Sequence, residues 1–259
     1  MHRFHVPPGQ CGSDEVTLTG REAHHGLHVL RLRRSDPVVV LDGAGREYHG
    51  EALDAGPKTL RLKIHKTVVV PPLPCRITLL QAVPKGKLFD DIVHRATELG
   101  VFRIVPLLSQ HVVTRLDSDQ SAQRLEHWRT VAVEAIKQSG SAWLPQLEPP
   151  LTPAAFLRRQ EPFDLSLIAS LQPGGRHPRH HFTSFRREQH PHASLSPAPA
   201  PVSACIWIGP EGDFTKDEVD AAIGGGAQPI SLGRLVLRVE TAAIYCLSIL
   251  HYELQSPVE

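Results

Sequence analysis

Ile206-Trp207-Ile208-Gly209-Pro210-Glu211-Gly212-Asp213-Phe214 and Ile230-Ser231-Leu232-Gly233-Arg234-Leu235-Val236-Leu237-Arg238-Val239-Glu240-Thr241-Ala242-Ala243 are the stretches whose reading decides the fold. Each opens on a short apolar run, which reads as a buried strand, and each leads through a glycine-bearing loop towards a helix. In open α/β sheets, ligands sit where strands end and helices begin. The two loops therefore read as two walls of one pocket. Glycine permits close approach of backbone to ligand, and Pro210 fixes its turn. Thr215 and Glu218 have capping-box spacing, so a helix is expected from Lys216 to about 223, stopped by Gly224-Gly225-Gly226. A last strand over 229–232 and a last helix from about Glu240 follow. Ala243, Leu247, Leu250 and Leu254 line that helix's inner face.

Chemically, the loop pair offers backbone polar groups, apolar walls (Leu232, Leu235, Leu237) and the charged residues Arg238 and Glu240. The chain has no Walker-type Lys-Ser/Thr, no Rossmann glycine triplet and no nucleophile elbow. That disfavours triphosphates and dinucleotides. The residues alone license a nucleoside-sized ligand, with two ligand-free glycine-rich turns as the alternative.

Moving outward, 164–169 reads as a strand. From 173 the composition shifts to Gly174-Gly175, many prolines and the histidines His177, His180, His181, His190 and His192. Such a segment reads as a flexible insertion over about 173–203. A metal site there is disfavoured, because His180 and His181 are adjacent and no Cys or acidic partner recurs. Further back, 76–82 reads as a strand, 88–99 as a helix (Leu88, Ile92, Ala96, Leu99) stopped by Gly100, and 102–108 as a strand. This order implies a parallel pair with a crossover. A longer helix over 121–139 carries Leu125, Trp128, Ala132, Ala135 and Ile136 on one face. Trp143 reads as packing, with base stacking as the alternative.

The first 70 residues differ. Leu60, Leu62 and Ile64 alternate with Arg61, Lys63 and His65, and further short strands are expected at 37–41 and 47–53, which suggests a small barrel. Residues 22–34 read as a short helix and a basic turn. Arg31, Arg33 and Arg34 are either a solvated face or an edge that contacts phosphates. Pro71-Pro72-Leu73-Pro74 marks a stiff boundary near 72. The expected organisation is α/β, with domains 1–72 and 73–259. A chain of 259 residues, 41% hydrophobic, accommodates both. The net charge of +1 is a weak footprint for a nucleic-acid binder, so any RNA surface must come from clustering. The four cysteines are far apart in sequence, and no segment has the length of a signal peptide core or a membrane span. A soluble, cytoplasmic protein with no membrane contact is expected.

Gly209-Pro210-Glu211-Gly212, Leu232-Gly233 and Leu237-Arg238-Val239-Glu240-Thr241-Ala242 resemble the ribosomal RNA small subunit methyltransferase E family, of the SPOUT class. Ala96-Thr97-Glu98-Leu99-Gly100-Val101, Glu134-Ala135 with Gln138-Ser139, and His28-Val29-Leu30-Arg31-Leu32-Arg33 agree. The resemblance implies a PUA-like barrel that holds RNA and a C-terminal domain threaded as a trefoil knot. It also implies a homodimer, S-adenosylmethionine as donor, and methylation of N3 of a uridine in 16S ribosomal RNA, on the assembled small ribosomal subunit. Donor contacts are then expected at Gly209, Pro210, Glu211, Gly212, Ser231, Leu232, Gly233, Leu235, Leu237, Arg238, Thr241 and Ala242. Arg238 is the expected catalytic group, with Glu240 orienting it or capping the last helix. Arg3, Arg31, Arg33, Lys85, Lys87 and Arg95 are candidate RNA contacts, and no metal is implied. Four positions depart from the family pattern: Asp213 for glycine, Val239 for threonine, Ser141 for a basic residue and Arg95 for lysine. A related knotted enzyme acting on a ribose hydroxyl or on transfer RNA remains open. So does a non-catalytic assembly factor, although Arg238 and Glu240-Thr241-Ala242 argue against it.

Overall fold

The computed structural model describes residues 1–112, 118–189 and 203–255. They form two compact units. The first is Met1–Pro72 together with Ala132–Leu144, and the second is Leu73–Val131 with Pro145–Glu259.

The first unit is built on a five-stranded sheet ordered β1-β3-β4-β5-β2. Its strands are β1 (His2–His5), β2 (Glu15–Leu18), β3 (Pro37–Leu41), β4 (Arg46–Ala55) and β5 (Leu60–Val69). β1 runs parallel to β3, and the other pairs are antiparallel. Leu60, Leu62 and Ile64 are buried as their alternation predicts, together with Phe4, Leu18, Val40 and Tyr48. β1 and β2 have four residues each, too few for a periodic signal. The short helix and basic turn expected over 22–34 are present, with the helix starting two residues earlier. α1 (Gly20–His24) passes into a π-helical turn, His25–Val29, and Arg31 leaves it at φ 53°.

An ion group organises this unit. Lys137, near the end of α3 (Ser118–Ser139), is 9% exposed and reaches Glu22 at 2.8 Å and Glu134 at 3.0 Å. Glu22 also accepts the His5 amide at 3.1 Å. The two carboxylates compensate a buried ammonium that could not stand alone.

The second unit holds a six-stranded sheet ordered β11-β9-β10-β6-β7-β8, parallel throughout. The strands are β6 (Arg76–Ala82), β7 (Arg103–Leu107), β8 (Gln146–Leu147), β9 (Leu165–Ala169), β10 (Ser203–Ile208) and β11 (Gln228–Ile230). α2 (Leu88–Glu98) buries Ile92 and Ala96, as expected. α4 (Pro153–Leu157) begins at a Thr152 cap that the sequence reading passed over. α6 (Lys216–Gly224) has the expected capping box: Thr215 Oγ1 accepts from Glu218 N, and Glu218 Oε2 accepts from Thr215 N at 3.0 Å. α7 (Val239–Leu254) buries Ala243, Leu247, Leu250 and Leu254.

The insertion reading needs correction. α5 (Pro178–Gln189) is a helix, and its Phe182 is 4% exposed. Proline is compatible with the first helical position, and the buried Phe182 anchors a helix made mostly of polar residues. Residues 190–202, including His190 and His192, lie outside the described residues.

The end of α7 is pinned to the start of β6. Gln255 accepts the Cys75 amide at 3.0 Å and donates to the Cys75 carbonyl at 2.6 Å, and both residues are buried. Gln255→Ala strands two buried backbone groups, so urea unfolding should report a loss of about 2–4 kcal/mol. A second prediction concerns pH. Burial holds His5 below its ordinary 6.5, against the opposing pull of Glu22. The folded state therefore resists protonating His5. The stability it contributes is complete above about 6.5 and is lost as the pH falls below that value and through the lower folded one. Between about pH 7.5 and about pH 5.5, thermal melts of His5→Asn should lose less stability than those of the unmodified chain.

Candidate functional site

Parallel strands end at one edge, and here that edge encloses a cavity of about 720 Å³. The size suits a small organic ligand. The segments after β9 (170–175), β10 (209–213) and β11 (231–238) wall it, with Leu88 and the start of α7. Of the donor-site residues expected from sequence, Gly209, Pro210, Glu211, Ser231, Leu232, Gly233, Leu235, Leu237, Arg238 and Ala242 line this cavity, as does Glu240. Gly212 and Thr241 do not. The Gly212 carbonyl faces His111 Nδ1 at 3.1 Å, and Thr241 is an exposed residue of α7. The 170–175 wall was not expected from the sequence, in which its second half, 173–175, reads as the start of a loose insertion. Its signal was the strand before it, since the rule applied to β10 and β11 holds equally at the end of β9.

The walls are tied from below. Glu211 Oε1 accepts the Lys85 amide at 3.0 Å, which joins the turn after β10 to the turn after β6. Gly175 packs so closely on β11 that an added Cβ would lie 2.9 Å from the Ile230 carbonyl carbon. Gly233 adopts φ 112°, which an L side chain rarely tolerates. Beyond it Leu235 and Val236 are 79% and 75% exposed.

Arg238 is the N-cap of α7, where no side chain caps the helix. The amides of Val239 and Glu240 lack intrahelical acceptors, and both residues line the cavity. The Arg238 side chain is exposed, and among the described residues it has no hydrogen bond or ion pair. Glu240 does not pair with it. As an acidic residue in the first turn, Glu240 complements the helix dipole instead. Asp213 accepts three hydrogen bonds and faces inward, towards Ser170 and Leu171. Burial pushes the thiols of Cys75, Cys205 and Cys246 up to about 12, so none of them is a ready nucleophile.

The candidate RNA contacts divide. Lys85 and Lys87 are exposed in the turn between β6 and Leu88, and Leu88 lines the cavity. Arg95 is exposed on α2, and Arg31 and Arg33 are exposed on the first unit. Arg3 serves structure. Its guanidinium donates to the carbonyls of Lys137 at 3.3 Å and Gln138 at 3.2 Å, capping the end of α3. Trp143 donates its indole N–H to Val70 O at 3.1 Å, and its ring covers Gly45, so packing explains it.

The comparisons agree along the whole chain. The RNA methyltransferase domain family matches residues 71–251, and the RNA methyltransferase PUA domain family matches 18–64. A ribosomal RNA small subunit methyltransferase E from Synechocystis is 32% identical over 258 residues, 98% of this chain and 78% of the relative. One from Bacillus subtilis is 28% identical, over 92% of this chain and 90% of its own. Among solved structures, a methyltransferase from Legionella pneumophila with bound SAM has a TM-score of 0.82 at 26% identity, covering 96% of both chains. The fold is also that of a ribosomal RNA small subunit methyltransferase E from Neisseria gonorrhoeae, with a TM-score of 0.80 at 24% identity over 97% of each chain. With two family matches in succession and a relative 32% identical over 98% of this chain, this chain belongs to the ribosomal RNA small subunit methyltransferase E family.

Proposed function

We propose that this chain methylates N3 of a uridine in 16S ribosomal RNA, using S-adenosylmethionine, on the assembled small subunit in the cytoplasm. The observation that carries the reading is Arg238, a cation without a side-chain partner among the described residues, at the rim of a nucleoside-sized cavity. The cavity suits this donor chemically. Glu240 offers a carboxylate to its cationic groups, the first turn of α7 offers amides to its carboxylate, and Leu232, Leu235 and Leu237 offer apolar surface to its base.

Bound donor supplies an electrophilic methyl carbon on a sulfonium. The chain's own task is mainly positioning. The turns at 209–211 and 231–233 fix one reactant through backbone groups. Leu232 and Leu237, both half-buried, shield it from water. As the N3–H proton passes to water, Arg238 presents its N–H groups to the negative charge left on the uracil ring. A donor so placed is worth about 2.7–4 kcal/mol. Lys85, Lys87 and Arg95 meet phosphates near the pocket, and the N-terminal domain, 1–72, holds RNA through Arg31 and Arg33.

The resemblance extends this reading to a trefoil-knotted catalytic domain, 73–259, and a homodimer. Thr241, Tyr245, Ser248 and Tyr252 recur at helical spacing along the exposed face of α7, with Tyr245 42% exposed. Such a stripe beside exposed Leu235 and Val236 fits a second copy of the chain.

Unmodified small subunits, incubated with protein and labelled donor, should gain a methyl group at one uridine N3. A methyl on ribose or on transfer RNA would overturn the target, and absence of donor binding by calorimetry would point to an assembly factor. Arg238→Ala should lower kcat about 10²–10³-fold while donor affinity stays within a factor of about two. Unchanged turnover removes Arg238 from the chemistry. Tyr245→Glu should shift the sedimentation coefficient towards that of a monomer, and an unchanged value excludes α7 as the dimer face.

A further inference from the structure

Asp213 occupies a position where glycine is the favoured residue. Its φ is 58°, in the left-handed region. Its carboxylate accepts three hydrogen bonds at 2.8 Å: Oδ1 from the Phe214 amide, and Oδ2 from the Ser170 hydroxyl and the Leu171 amide. Ser170 Oγ in turn accepts the Gln172 amide at 3.1 Å. The side chain thus ties the turn after β10 to the start of the segment after β9. The far end of that segment is tied to β11, through Arg176 N to Pro229 O at 3.1 Å and Ser231 N to Arg176 O at 2.9 Å. On the other flank, the Asp213 and Gly212 carbonyls both lie within hydrogen-bond reach of His111 Nδ1. Residues 170–175 are therefore a strap fastened at both ends, and the strap is one wall of the cavity.

We propose that Asp213 is a positioning residue, a clasp that keeps the strap seated so that the donor pocket is formed before the donor arrives. That the ligand is S-adenosylmethionine rests on the function proposed above. The clasp itself rests on the hydrogen bonds. Bonds to an ionised acceptor are about twice as strong as neutral ones, and three of them converge on one side chain. Apparent affinity scales with the fraction of molecules whose pocket is competent. If the unclasped strap is seated about one tenth of the time, donor affinity falls about tenfold. Arg238 is untouched, so kcat at saturating donor is preserved and KM for donor rises.

Asp213→Gly removes the carboxylate and relaxes the left-handed backbone, which favours folding. Asp213→Asn tolerates that backbone and keeps one acceptor oxygen. In Asp213→Gly the Leu171 and Gln172 amides should exchange hydrogen faster. Its dissociation constant for S-adenosylmethionine should rise about tenfold, with kcat near that of the unmodified chain. Asp213→Asn should fall between the two. Unchanged exchange with unchanged affinity overturns the clasp, as does a fall in kcat at constant KM. If Asp213→Gly fails to fold, Ser170→Ala removes one of the three bonds and must move exchange and affinity the same way by less. No change in that variant also overturns the proposal. Absence of donor binding in the unmodified chain would sink the proposed function, and the Leu171 exchange would still decide the clasp.

Discussion

Parallel pairing of β10 with both of its neighbours, β6 and β9, is the constraint on which the rest of the second unit depends. The registers place Ile230, Ala169, Ile208, Gln81 and Pro106 in one row across five strands. Parallel strands deliver their chain exits to the same edge. Beyond this row the chain must leave the sheet, and three of those exits meet over one cavity. The strand order also reverses about this point, with β7 on one side of β6 and β10 on the other. Open sheets gather ligands at such a switch.

Around that cavity, side chains divide into those engaged by the protein and those left for a ligand. Glu211 holds the turn after β6, Glu218 closes the cap of α6 and also accepts the Gln110 amide, and Asp213 holds the strap. These carboxylates satisfy backbone amides that loops would otherwise leave exposed. Arg238 has no such duty among the described residues. The division suits a site whose work is alignment, with stiff walls and a free cation at the rim.

The departures from the family pattern take on physical meaning in this light. The negative charge of Asp213 is directed inward, where three donors meet it. Val239 is 6% exposed at the first position of α7 and contributes packing there. The Ser141 hydroxyl donates to the Trp143 carbonyl and accepts the Trp143 amide, which fixes the turn after α3. Arg95 remains an exposed cation on α2.

By itself, the sequence determined the elements whose signals are local. Apolar runs placed β6, β7, β9, β10 and β11, the Thr215–Glu218 spacing started α6, and two of the three cavity walls followed from glycine-bearing turns after strands. Tertiary structure decided everything that needed a partner distant in the chain. β1 is four residues and exists because β3 lies beside it. α5 stands on Phe182, whose burial no composition count contains. Arg3 looked like a phosphate contact and became a helix cap, because the end of α3, far along the chain, meets it. Gly212 and Thr241 belong to the motif yet miss the cavity, while residues 170–175 lie outside the motif and line it. Periodicity reports which face of an element is apolar. Which strand ends share an edge is set by the pairing of β9, β10 and β11, and that pairing is long-range.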